Sequence, residues 1–459
     1  MTAELDLAAR VVELAATAAA GAEVEVHVGH TAQALTRFAN SYIHQNVADA
    51  ATTVRLRLHL AGRTATGATT VCAAHGLRAL VERTVAATRL APRDPLWPGL
   101  SPPALLGGPG TWDETTAAAG PADRADRVHA FVTAARGRET AGYCRTTYRA
   151  AAFANSAGQA VAARTSEASM DGVARVPGAD GVARLASYRL ADIDGAVLGE
   201  RAAAKALAGA DPIDLPPGRY EVVLEPPAVA DILQNLAMFG FNGKAYAERR
   251  SFAELGADQF DPAVTLTDDP VGAGATGLPF DVEGTPRHTL TLVAAGQTRA
   301  VPHDRRSAAL VGSTPTGHAL EGSTVWGAQP TNLRLEPGPP DGQAHAAGPA
   351  VDPGAAPLVP AVRRGLLITD FWYTRVLDPK TLVVTGLTRN GAWLIEGGEV
   401  VGAVRNLRFT QSYPQALAPG AVLAVGATAP VMPDSWAAAW WAAPALRLAS
   451  WHMTGNSTG

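Results

Sequence analysis

Residues 365–410 read GLLITDFWYTRVLDPKTLVVTGLTRNGAWLIEGGEVVGAVRNLRFT, and their patterning sets the fold class. Four short runs rich in β-branched, aliphatic and aromatic residues, at 365–372, 381–387, 391–395 and 400–404, are strand candidates. Between the second and third stands Asn390-Gly391. This dipeptide favours a type I′ hairpin, because both central residues of that turn need φ > 0. Turn chemistry is the plain reading of Arg389 and Asn390, and of the pair Arg405 and Asn406 at the end of the fourth strand. The alternative is that these residues face a substrate or a partner.

Upstream, RYEVVL at 219–224 is a short buried strand. Pro226 and Pro227 then open a helix over 228–239, since a first-turn proline forfeits only an N–H that is unpaired anyway. From about residue 264 the chain is mostly strands, 289–293 among them. The Pro/Gly/Ala-rich stretch 336–359 lacks periodicity and is expected to be an exposed, mobile loop.

Pro212, Pro216, Pro217 and Gly218 mark the clearest internal boundary. Before it, Leu5, Leu7, Ala8, Val11, Val12 and Ala15 recur at helical spacing. Strands follow at 23–28, 34–38 and 52–60. In the last, Val54, Leu56, Leu58 and Leu60 alternate with Arg55, Arg57 and His59, the period of a half-buried strand. Helices are expected over 71–89, 124–136 and 191–208, with strands at 144–153 and 160–169. The reading is α+β, with an α+β N-terminal domain at 1–215 and a β-rich C-terminal domain at 216–459.

The chain has 459 residues, enough for two or three domains, with 38 basic and 42 acidic side chains. That balance argues against a nucleic-acid partner. Two cysteines, Cys72 and Cys144, exclude a disulfide scaffold and a four-thiolate zinc site and fit a reducing compartment. The first helix carries Glu4, Asp6, Arg10 and Glu13 and is not a signal peptide, and no run is long enough to span a bilayer. The expectation is a cytoplasmic protein with no membrane contact.

Phosphate loops, dinucleotide fingerprints and a Gly-x-Ser-x-Gly elbow are absent from the sequence. His27 and His30 share a strand-and-turn context and read as surface residues. His288, His303 and His318 form a looser set that three imidazoles of a zinc site would require; hairpin residues bonded nearby are the plainer reading. Trp436, Trp440, Trp441 and Trp451 read as packing residues. Thr316 and His318, in GSTPTGH, are candidates for the border of a cleft, and Asn40 and His44 read as local hydrogen-bonding residues.

Several stretches resemble the TldD/PmbA (TldD/TldE, modulator-of-gyrase) metallopeptidase family. They are FANSYIHQNV at 38–47, RTSEASMDG at 164–172, YEVVLEPPAVADIL at 220–233, PTNLRLEPG at 330–338, the 365–410 stretch, and PALRLASW at 444–451. The resemblance implies a two-domain architecture and a heterodimer of a TldD-type and a TldE-type subunit. The TldD-type subunit carries zinc on a helical HExxxH motif with a late thiolate ligand, and the pair encloses a chamber for extended peptides. It also implies roles in peptide turnover and in maturation of peptide natural products.

In this sequence Gln234 and Phe239 stand where the motif has its imidazoles, and Asn235 where it has Glu. A carboxamide is a poor zinc ligand, a phenyl ring is none, and Asn cannot accept a proton from water. No Cys follows Cys144. The resemblance therefore implies a non-catalytic, TldE-type subunit that binds no metal or cofactor itself. Zinc is expected on a TldD-type partner, with a peptide as substrate and a homodimer forming when the chain is alone. Thr316, His318, Asn332, Arg389, Asn390, Arg405 and Asn406 are the cleft candidates. The segment Gln234–Phe239 is expected to be regular helix, because Ala237 and Met238 rather than glycines fill its interior. The competing readings are a stand-alone metal-dependent hydrolase built on His288, His303 and His318, and a peptide-binding module without a peptidase partner.

Overall fold

The structure is a computed structural model, which describes residues 2–108, 110–272, 274–340, 348, 350–433 and 439–456. The first sheet has strands β1 (Glu23–Ala39), β2 (Tyr42–Leu60), β3 (Arg63–Thr69), β4 (Glu139–Asn155), β5 (Ala160–Val176) and β6 (Ala179–Ser187), all antiparallel in the order β3-β2-β1-β4-β5-β6. The candidates at 23–28 and 34–38 are one strand. The weakly patterned residues between them are held by ladders on both sides, His30 pairing with Thr52 and with Ala150. Asn40 and Ser41, at φ 50° and 64°, make the two-residue turn into β2.

Even-numbered β1 residues Val24, Val26, Val28 and Phe38 are buried and face the helices. Helices α1 (Ala3–Ala18) and α2 (Ala74–Leu90) cover one part of this face. The short α3 (Glu114–Ala117) precedes α4 (Pro121–Ala134), which with α5 (Gly195–Ala208) covers the rest. The other face meets the C-terminal half: Phe153 and Val161 pack with Phe280, and Arg57 pairs with Glu283 at 2.9 Å. The Arg/His side of β2, which alternation alone assigns to water, is thus partly an internal seam. Burial there pushes the Glu25 carboxyl up to about 7 despite its pairing with Arg57.

The C-terminal strands are β7 (Gly218–Leu224), β8 (Leu266–Asp268), β9 (Leu290–Ala294), β10 (Gln297–Thr298), β11 (Asn332–Leu335), β12 (Arg364–Asp378), β13 (Val383–Glu396), β14 (Glu399–Ala403), β15 (Leu407–Ser412), β16 (Val422–Val425), β17 (Val431–Pro433), β18 (Trp440–Ala442) and β19 (Leu446–Asn456). One sheet runs β10-β9-β8-β11-β18-β17. In the other, β12-β7-β19-β15-β13 are neighbours in turn, and β13 pairs back with β12, which closes these five strands into a ring. β14 extends β13 and β16 extends β19. Helix α6 (Pro226–Asn235) packs Val229, Ile232 and Leu233 against buried residues of the ring such as Val222, Leu366, Leu446 and Trp451.

Three expectations are corrected. Asn390-Gly391 makes no hairpin: both residues lie inside β13, which is continuous from Val383 to Glu396. Ile368 pairs with Ala392 and Asp370 with Arg389, so two residues of β13 oppose Thr369 alone, a β-bulge. Asn390 at φ 59° and Gly391 at φ 132° supply the backbone freedom that a bulge, like a turn, demands. The chain reverses instead after Asp378, which pairs with Val383.

Residues 336–359 are not uniformly an exposed loop. A short 3-10 turn, Ala356–Ala361, buries Ala356, Leu358 and Val359 against Trp393 and Ile395; residues 341–347 and 349 lie outside the described residues. The third correction is in the motif helix, which is not regular to its end. Leu236–Gly240 is a π turn, with Phe241 N donating to Leu236 O at 2.7 Å. Its carbonyls find partners: Asn242 Nδ2 donates to Met238 O at 3.0 Å and Ser251 Oγ to Gly240 O at 2.6 Å. A Cβ at Gly240 would lie 2.2 Å from Phe252, so glycine is required there by close packing. Trp440, Trp441 and Trp451 are buried, as packing residues; Trp436 lies outside the described residues.

Candidate functional site

Gln234, Asn235 and Phe239, the positions that the resemblance aligns with the zinc motif, lie at the end of α6 and the turn after it. Gln234 is half-buried, its amide near Met238 Sδ at 3.8 Å. Asn235 is buried and donates to Asp231 O at 2.9 Å and Asp231 Oδ2 at 3.3 Å. Phe239 packs against the main core. Among the described residues no group of three or more His, Cys, Asp or Glu is placed to hold a metal ion. Cys144 lies buried in the N-terminal domain, where desolvation pushes its thiol up to about 12. These residues do not fit zinc.

The polar centre of this region is Asp231, the one acid of the otherwise largely apolar α6, which no sequence motif marks. Its carboxylate accepts Tyr413 Oη at 2.6 Å, Thr374 Oγ1 at 2.7 Å and the Asn235 amide. Burial pushes the carboxyl up to about 6; these hydrogen bonds oppose the rise and Asp370 adds to it. The sign follows. A carboxyl raised in the folded state favours folding fully below its unfolded value near 3.8 and loses that contribution as pH rises through about 6. Asp231→Asn is therefore expected to gain on the parent protein between about pH 4 and 6, by at most ~1.4 kcal/mol per pH unit, and to run parallel to it above. Denaturant unfolding of both proteins across that range checks this; a constant offset at every pH would contradict it.

Thr316, His318 and Asn332 gather around a second buried carboxylate, Asp268 on β8. Its Oδ1 accepts Asn332 N at 2.7 Å and Thr331 N at 3.0 Å, and its Oδ2 accepts Arg287 Nη2 and contacts His318 Nε2, both at 2.9 Å. Burial alone would raise the Asp268 carboxyl, but Arg287, His318 and the Asn332 amide outweigh it and hold it well below the usual range. Thr316 Oγ1 contacts His318 Nδ1 at 2.9 Å and donates to His303 O at 3.1 Å. Burial, with His318 beside it, pushes His303 down to about 4. His288 is exposed and lies against Gly107 instead, so the three histidines do not form one donor set. This cluster holds loops together inside the fold.

Arg389, Asn390, Arg405 and Asn406 do come together. They line a groove of about 740 Å³ whose opposite wall is the N-terminal domain: Arg138, Glu139, Arg175 and Asp180. A smaller hollow of about 310 Å³ continues from it past Trp372 and Arg184. The β13 bulge aims Asn390, whose Nδ2 donates to Asp370 Oδ2 at 3.2 Å; Arg184 of β6 pairs with the same oxygen at 2.9 Å. The N-terminal wall escaped sequence reading because its residues lie more than 200 positions away, with no local motif.

A two-domain α+β protein with a closed β-ring, helix α6 packed on it and a polar groove between the domains is the class that this architecture defines. Residues 217–455, over half of the chain, match the family model for the PmbA/TldA metallopeptidase C-terminal domain, and the chain belongs to the TldD/PmbA family. The fold is similar to TldE from Thermococcus kodakarensis, with a TM-score of 0.85, 16% identity, and 97% of this chain and 99% of that one covered. It is also similar to a candidate modulator of DNA gyrase from Thermotoga maritima, with a TM-score of 0.82, 18% identity, and 98% and 99% covered. At these identities the likeness is one of fold. Among curated proteins no sequence match is significant. Among the described residues no helix is long and apolar enough to cross a membrane.

Proposed function

We propose that this chain is the non-catalytic, TldE-type subunit of a heterodimeric zinc peptidase. It completes the proteolytic chamber and helps to hold an extended peptide, while a TldD-type partner supplies zinc, general base and water. The observation that carries the reading is the fate of the motif positions: the Asn235 amide is spent on Asp231 and the Phe239 ring on the core. Neither side chain is available to a metal or a water nucleophile. The long sequence match to a metallopeptidase domain supports the family setting in which such a subunit works.

The test is to mix the purified, untagged chain with an HExxxH-bearing homologue from the same genome. Light scattering should show a heterodimer, as an obligate interface of roughly 2,000 Å² or more would give. Hydrolysis of an unfolded peptide should need both chains. A chain that remains a monomer beside the homologue, or that hydrolyses peptide alone in a chelator-sensitive way, would sink the reading.

A further inference from the structure

Glu25, Asp281, Glu283 and Asp304 are all buried in the seam between the domains. Glu25 comes from β1; the other three come from the C-terminal half, where Asp304 caps the helix Arg305–Val311. A single guanidinium serves both glutamates. Arg57 of β2 pairs with Glu25 Oε1 and, through Nη2, with Glu283 Oε1 at 2.9 Å, and it lies 5.0 Å from the Trp97 ring centroid.

The other charged groups of the seam are committed elsewhere. Arg305 spends its guanidinium on the carbonyls of Pro98, Gly99 and Leu100, while its backbone N donates to Glu283 Oε2 at 2.9 Å. Arg306 pairs with Asp94 at 2.7 Å, and Arg55 with the exposed Glu321. Burial, with Arg55 beside it, pushes His27 down to about 4, so it brings no charge at neutral pH. Asp281 accepts the backbone amides of Glu283, Thr285 and Ala319 at 2.9, 3.0 and 2.9 Å, and Asp304 Oδ1 accepts Ser307 N at 2.7 Å. Glu25 Oε2 has no hydrogen-bond partner among the described residues.

Four ionised carboxyls around one shared guanidinium would leave excess negative charge in a buried seam, which costs more than a neutral carboxyl does. Glu283 has a donor on each oxygen. Glu25 has one oxygen without any, so a proton on Glu25 relieves the charge at the least cost in hydrogen bonds.

We propose that the seam is a proton-gated closure: Glu25 holds a proton while β1 and β2 lie against residues 281–285 and 303–306, and gives it up as the medium turns alkaline, so that these loops part from the sheet. Burial raises the Glu25 carboxyl to about 7, with Arg57 opposing the rise and Glu283 adding to it; burial and Glu283 raise Asp281 and Asp304 as well. A carboxyl raised in the closed seam supports closure fully below its ordinary value of 4.5, and that support is lost as pH rises through about 7. A cavity of about 320 Å³, lined by Glu25, Arg57, Trp97, Phe153, Glu283 and Asp304, already runs along the seam, so a small parting of the loops hydrates the carboxyls. The device does not depend on the subunit reading.

Hydrogen exchange of the full chain, followed by mass spectrometry and corrected for the intrinsic pH dependence of exchange, tests it. Between about pH 5 and 8, protection of residues 281–285 and 303–306 is expected to fall at least about tenfold, while α5 keeps its protection. Glu25→Gln keeps the acceptor for Arg57 but cannot ionise. It is expected to make that fall at least about tenfold smaller, the remainder belonging to Asp281 and Asp304. Constant protection of these loops across the range in the parent chain overturns the proposal. So does a fall of equal size in Glu25→Gln. A loss spread evenly over the whole chain also overturns it, because the release would then be global unfolding and not a parting of the seam.

Discussion

Replacing Lys205 by Met is expected to destabilise the protein by about 3–5 kcal/mol. Lys205, on α5, is 2% exposed and its ammonium meets Glu225 Oε2 at the start of α6, where Glu225 is fully buried. The pair joins a helix of the N-terminal domain to the helix that packs on the β-ring. Glu225 Oε1 is already occupied by Asp352 N at 2.7 Å, and Asp352 in turn pairs with Arg201 at 2.9 Å. Met fills the volume of the lysine stem but leaves the carboxylate charge uncompensated in a site that water does not reach. The double variant Lys205→Met with Glu225→Gln should recover most of the loss, because the amide still accepts from Asp352 N and no charge remains. Denaturant unfolding of the three proteins measures both effects. A single-variant loss below about 1 kcal/mol, or a double variant no better than the single, would show that the pair does not carry the junction.

The second large effect is a failed reconstruction. The triple variant Gln234→His, Asn235→Glu, Phe239→His restores the motif letters, and it is expected to give no zinc-dependent hydrolysis by the chain alone. Helix geometry is not the obstacle, since the π turn at Leu236–Gly240 already widens this segment. The obstacles are chemical. No cysteine follows Cys144 to supply the late thiolate that the resemblance implies for a zinc-bearing subunit. A Glu at 235 would also set a second carboxylate beside Asp231, whose own carboxyl burial has pushed up to about 6, and would remove the amide that donates to it. His at 239 would place a polar ring where phenyl packs on the core. A stability loss of about 2–4 kcal/mol is expected from the two changes together. Zinc content, chemical unfolding and peptide hydrolysis of the variant check this. Robust zinc-dependent hydrolysis without a partner would show that the site has kept its catalytic frame.

Asn390-Gly391 shows how far local chemistry reaches and where it stops. The dipeptide announces positive φ, and both residues have it. Whether that freedom makes a turn or a bulge depends on what lies alongside. Here β12 pairs with β13 on both sides of the dipeptide, so the strand continues and the extra residue kinks it toward the groove. The same limit applies to Gln234–Phe239. Residue types alone put two carboxamides and a phenyl ring at positions 234, 235 and 239, whereas the π turn is held by contacts from Asn242, Ser251 and Phe252, which no helical propensity encodes.

Side-chain type and spacing by themselves determined the α+β class, the strand-rich second half and the helix after the Pro226-Pro227 pair, while the resemblance of whole stretches such as 365–410 pointed to the family. The class and the elements follow from short-range periodicity and from chemistry carried by single residues. The tertiary structure alone decided which polar residues meet. It sent Thr316, His318 and Asn332 inward to Asp268, and it placed Arg389 and Arg405 opposite Arg138 and Arg175 across a groove. It also turned the charged side of β2 into a seam against Glu283. The physical reason is that a polar side chain has no period of its own. Its partner is whatever the packed sheets bring within about 3 Å, and burial then makes that pairing obligatory.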